Sequence, residues 1–162
     1  MVWVILFVVV AMVLAPVMWM MPSPAQKRQA VMRERARKLG LMVNIVDLPQ
    51  SHRAKVRREP AVQGVSYSLR IARQKGVQRP CWFIWREQPA DEPQAAAAVP
   101  AVLIDEIQSL RDMMPADMVG LESNEAGYSA YWREQGDSAV VDQIAELLGR
   151  VRLLAGGKLL GS

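Results

Sequence analysis

A nucleophile–base pair in this chain would have to be built around His52 or Cys81, because 162 residues hold one histidine and one cysteine. His52 stands beside Arg53 and Lys55 in a polar stretch without periodicity, where a histidine is an ordinary solvated side chain. Cys81 opens the apolar run Cys81-Trp-Phe-Ile-Trp85, where a thiol packs as a small hydrophobe. Neither brings the adjacent base or orienting group that activates a nucleophile. A single cysteine also excludes an intrachain disulfide and any metal site built on cysteine pairs. Glu122, Glu125, Glu134, Asp137 and Asp142 could supply a carboxylate pair for acid–base work. No nucleophile or ligand set accompanies them, so they read as a solvated acidic surface. Gly156-Gly157 follows a helix, whereas a phosphate-cradling glycine loop precedes one. The sequence therefore assigns no catalytic residue, no cofactor and no metal ligand. The expectation is a protein that is not an enzyme, with an enzyme of non-obvious site as an alternative.

Cations are the charged groups that cluster. From Pro22 to Arg86 there are fifteen Lys or Arg against Glu34, Asp47 and Glu59, while the remainder to Ser162 carries five bases against thirteen acids. Lys27, Arg28, Arg33, Arg35, Arg37 and Lys38 directly follow an uncharged apolar run. They are expected to contact a membrane surface, where each basic residue gains ~1 kcal/mol from anionic headgroups. Arg53-Ala-Lys-Val-Arg-Arg58 could instead meet phosphates. A tethered binder of anionic lipid or nucleic acid through residues 27–79 is thus a second alternative. Nucleic acid is not the expected partner, since no recognition helix or stacking-aromatic motif accompanies the cations.

Met1 to Met21 holds no charged residue. At ~1.5 Å per residue such a helix covers roughly 30 Å, a hydrocarbon core. Trp3 and Trp19 lie near its ends. The expectation is a transmembrane helix over 1–21 in a single-pass bacterial inner-membrane protein. Bases follow the run and none precedes it, which puts the N-terminus outside and the C-terminal domain in the cytoplasm. A basic juxtamembrane helix is expected over 22–39, a cytoplasmic α+β domain over 40–155, and a flexible tail over 156–162. Within the domain, Leu41–Leu48 reads as a strand and 50–63 as a loop. Val65, Tyr67, Leu69 and Ile71 alternate with polar residues as a half-buried strand. Cys81–Trp85 reads as a central strand forming a hairpin with it. Residues 88–99 read as a linker, 100–114 as one helix, and 118–122 with 128–132 as a second hairpin. A last helix carries Val140, Val141, Ile144, Leu147, Leu148, Val151 and Leu154 on one stripe. The order β-β-α-β-β-α implies an antiparallel sheet packed by two helices.

The segment Pro22-Ser-Pro-Ala-Gln-Lys-Arg-Gln29 after an apolar N-terminus resembles the start of the YajC family, the small accessory subunit of the bacterial preprotein translocase. The resemblance covers about 30 residues. It implies an outward N-terminus, one span, and a small cytoplasmic β-rich domain. The Gly-Asp-Glu-Val-Val-Thr type of segment that continues that family is replaced here by Gly40-Leu-Met-Val. More broadly the chain is similar to small single-span proteobacterial proteins. The functional expectation is a membrane-anchored interaction module, an accessory or assembly subunit with a membrane-protein partner and the lipid bilayer as its neighbours.

Overall fold

The computed structural model describes residues 1–19, 23–72, 79–90 and 99–159, without the side chains of 13–19 and 156–159. The chain divides into two compact units, Met1–Ala30 and Val31–Ser162. In the first, α1 (Val2–Trp19) is followed by the start of α2 (Pro24–Lys38). Ser23 and Gln26 form a capping box: the Gln26 amide donates to Ser23 Oγ at 3.2 Å, and the Ser23 amide to Gln26 Oε1 at 2.9 Å. Two orphan donors of the first turn are satisfied this way.

Among the described residues no helix is long and apolar enough to cross a membrane. This corrects the expected transmembrane helix over 1–21, and the single-pass inner-membrane location with its outward N-terminus and cytoplasmic domain loses its basis. The described side chains of α1 end at Met12. α1 holds 18 residues, a rise of about 27 Å, short of a ~30 Å hydrocarbon core. The large apolar side chains of Met1 to Val10 are exposed, as is Met12.

The second unit is α+β. Five strands form one antiparallel sheet in the order β1-β2-β5-β4-β3, with β1 Met42–Asp47, β2 Gln63–Arg70, β3 Trp82–Trp85, β4 Met118–Asn124 and β5 Gly127–Trp132. Between them lie α3 (His52–Val56), α4 (Ala101–Ile104) and α5 (Ile107–Met113), and α6 (Ser138–Leu159) follows. Alternation assigns the faces. Val65, Tyr67, Tyr128, Ala130, Trp132, Leu121, Ile84 and Trp82 are buried with Leu103, Leu110, Val141, Ile144, Leu147, Leu148 and Val151 of the helices. The second half of α2 joins this core through Met32 and Ala36, which are one helical turn apart.

Four expectations change. Cys81–Trp85 is not central and makes no hairpin with the preceding strand. β3 is an edge strand paired with β4, and β2 pairs with β1 and β5. Gly127 permits the β2–β5 pairing: its φ is +145°, and a Cβ there would collide with the Leu69 carbonyl oxygen. Only glycine lets β5 approach β2 this closely. The supposed loop contains α3, whose Ser51 hydroxyl accepts from the Ala54 amide. The helix expected over 100–114 is broken at Asp105–Glu106 into α4 and α5, and nothing in that dipeptide's chemistry explains the break. Finally, α6 runs through Gly156 and Gly157 to Leu159. Most of the 88–99 linker and the end of the tail lie outside the described residues.

Candidate binding surface

The cations singled out in the sequence fall into different settings. Lys27 and Arg28 are exposed in the first unit. Arg33 is turned inward: its Nε donates to both Glu134 oxygens at 3.0 and 3.1 Å, and Nη2 bridges the same carboxylate. Arg35 Nε donates to Asp142 Oδ1 at 3.0 Å. Lys38 pairs with Glu34 at 2.8 Å, an exposed i,i+4 contact, while Arg37 is exposed. Arg33 and Arg35 therefore fasten the second half of α2 to Glu134 and Asp142 within the second unit.

Glu134 is not solvated, contrary to its reading in the sequence. Its side chain is 1% exposed, and it also accepts from the Tyr67 hydroxyl at 3.0 Å. The residue has φ +53°, in the left-handed region that a non-glycine residue rarely occupies. The bidentate hydrogen bond raises the Arg33 pKa above its ordinary value. Burial, followed by the Glu134 charge, pushes the Tyr67 phenol well above its ordinary value. No acid or base is left open to a substrate here, so the cluster reads as a clamp between elements. Its sequence, Arg133-Glu-Gln-Gly136, looks like an ordinary turn and carries no signal of this.

Among the described residues of the second unit, two surfaces stand open. The first is the free edge of β1. The Leu48 amide donates to the Val62 carbonyl at 2.9 Å, directly continuing the β1–β2 register. In an antiparallel ladder inward-bonded and outward-facing residues alternate. Met42, Asn44 and Val46 thus bond to β2, while Val43, Ile45 and Asp47 direct amide and carbonyl outward. Among the described residues no backbone hydrogen bond covers those outward groups. Ile45 is 63% exposed and Met42 41%.

The second is the sheet face opposite the helices. Ser68 Oγ lies 2.8 Å from Ser129 Oγ and 3.2 Å from Ser66 Oγ. The Tyr131 hydroxyl donates to Glu122 Oε2 at 2.6 Å, and Asn124 Nδ2 reaches the same oxygen at 3.3 Å. Burial first, then that hydrogen bond, raises the Tyr131 pKa. Phe83 and Trp85 pack edge to face at 4.6 Å on the same side, so Trp82 and Trp85, adjacent in the apolar run, face opposite ways. Beside them a cleft of about 220 Å³ opens between β1, β2 and β5.

Elsewhere, His52 begins α3 on the surface, and Cys81 is exposed just before β3. The expected buried thiol is therefore corrected: the apolar strand starts one residue later. Asp137 caps α6, accepting from the amides of Ala139 and Val140 at 2.9 and 3.3 Å. Among the described residues no group of three or more His, Cys, Asp or Glu side chains could hold a metal. No family model, curated protein or solved structure matches this chain.

Proposed function

We propose that this chain is a protein-interaction module that takes up an extended segment of a partner as a sixth strand along β1. The observation that carries this is the bare outward edge of β1. Edge strands are ordinarily blunted by proline, lysine, bulges or very short length. β1 has six residues in unbroken register with β2, without proline or bulge, and its one charged residue is Asp47 at the strand's end. Three outward amide–carbonyl sets give main-chain affinity, and alternate side chains give selectivity, as in other strand-addition complexes.

The surroundings specify the occupant. The chain entering β1 carries Arg37 and the Lys38–Glu34 pair, and the chain leaving it carries Arg53, Lys55, Arg58 and the Arg57–Glu59 pair, a net positive field. An extended segment with acidic residues beside apolar ones suits that field. A second copy of this chain does not, because antiparallel pairing of two β1 edges would set one basic flank against the other. The binder of anionic lipid or nucleic acid is less favoured, since Arg33 and Arg35 are engaged by carboxylates.

The test uses a photoreactive residue at Asn44, whose backbone faces β2, in the full chain in its own cells. Ile45→Pro removes an outward amide and leaves the β1–β2 ladder intact, a substitution edge strands tolerate. The expected result is one heterologous adduct, crosslinked through an acidic extended segment, that disappears with Ile45→Pro while the melting temperature holds. An adduct of twice the chain's mass would identify a second copy instead. No adduct, or one indifferent to Ile45→Pro, would overturn the proposal.

A further inference from the structure

We propose that the cleft on the open face is a site for a small oxyanion, a carboxylate or a phosphate, gripped by Arg70 and the serine hydroxyls. The cleft is lined by Asn44, Ser66, Ser68, Arg70, Ser129 and Tyr131, among others. Its polar groups are mostly donors with capacity to spare. Ser66, Ser68 and Ser129 bring three hydroxyl protons and make two bonds among themselves. One proton therefore remains for a group outside the chain of hydroxyls. Ser66 and Ser129 are each only 5% exposed, so bulk water has little access to that donor. A buried donor ordinarily has a partner.

Arg70 supplies the charge. It ends β2 opposite Gly127, and among the described residues it has no carboxylate or carbonyl partner. A guanidinium fork matches the two oxygens of a carboxylate or phosphate. Asn44, across the ladder from Ser66, adds a carboxamide at the cleft wall. The acid of β4 on this face is Glu122, whose Oε2 already accepts from Tyr131 and Asn124. The volume of about 220 Å³ suits a small acid or the anionic head of a larger molecule.

The two sources of this chemistry are separable by titration. The isotopically labelled full chain is titrated with sodium phosphate and, separately, with sodium acetate, at constant ionic strength set with chloride. Binding should move the amides of Ser66, Ser68, Gly127 and Ser129 and the Arg70 Nε–H. Response to phosphate alone would make the ligand a phosphate, and response to acetate alone a carboxylate. Response to both leaves the oxyanion class itself supported. Arg70→Gln should weaken the response about tenfold or more, since a charge-assisted fork is lost. Ser68→Ala, which interrupts the hydroxyl chain at its middle, should weaken it as well. Both variants should keep the parent's amide dispersion without anion. Ile45→Pro should not alter the response, which separates this site from strand addition at the β1 edge. Silence toward both anions would overturn the proposal. So would an equal loss in Arg152→Gln, an exposed cation on α6, which would mark nonspecific attraction.

Discussion

Glu134 shows how far one residue can depart from what its neighbours in the chain suggest. The carboxylate is enclosed, the backbone lies in an uncommon region, and its counterion comes from residue 33. Removing one partner of such a pair leaves the other charged and enclosed, at a cost of ~3–5 kcal/mol. Arg33→Ala should therefore destabilise the protein by about 3 kcal/mol or more in urea unfolding. Arg35→Ala should cost under ~1 kcal/mol, because the Arg35–Asp142 pair is nearly half exposed on both sides. Equal effects of the two substitutions would show that Glu134 is not the clamp.

The tyrosines give a second prediction at this scale. There are three in the chain, and the pKa of each is raised above its ordinary value by burial first. In the native state they hold protons that the unfolded state releases above pH ~10. Their contribution is thus complete below that pH and lost as the pH rises past it. Each of the enclosed pair Tyr67 and Tyr128 should subtract up to about 1.4 kcal/mol per pH unit there. Phenolate absorbance should accordingly stay low while the native circular dichroism persists, then rise together with unfolding. A tyrosine ionising near pH 10 in a folded protein would refute this.

Among the helices, α6 contributes the most buried residues to the core. Val141, Ile144, Leu147, Leu148 and Val151 are fully buried, and Glu146 is exposed. Leu147→Ala should cost ~2–5 kcal/mol, lowering the melting temperature by many degrees. Glu146→Ala should leave it nearly unchanged. If both variants melt like the parent, the stripe does not carry the core. This helix was legible because its spacing is local and each apolar residue repeats at three or four. The β4–β5 hairpin was legible for the same reason: Asn124 Oδ1 accepts from the Ala126 and Gly127 amides, a turn written in adjacent residues. The partner of β2 was not legible. Alternation states which residues face the core, but says nothing of which strand lies alongside. The open-face serines were half visible, since Ser66 and Ser68 alternate with apolar residues, but Ser129 reaches them only through that same distant pairing. The docking of α2 was hidden too. Only Met32 and Ala36 touch the core, whereas Val31 is 56% exposed, so no stripe stands out.

For the whole molecule, the compact second unit begins at Val31, which makes a prediction about where the chain can be cut. A fragment from Val31 to Ser162 retains Met32, Arg33 and Ala36 and should unfold in one transition. A fragment starting at Gly40 loses those contacts and should unfold at distinctly lower urea, by the sum of a buried Met and the Glu134 clamp, several kcal/mol in all. If the two fragments were equally stable, the second half of α2 would not belong to the unit.

The strand order also sets a timetable for the chain as it is made. β1 and β2 can pair as soon as both leave the ribosome, but the inner flank of β2 must wait for β5, with Arg70 meeting Gly127. At translation speeds of roughly 5–20 residues per second, that interval lasts about 3 to 12 seconds. Throughout it the nascent chain presents two bare flanks on one hairpin, and only one of them closes when synthesis ends. Slowing the codons between β2 and β5 should lengthen the period in which nascent chains associate. Faster synthesis across the same stretch should shorten it, with no change in the finished protein.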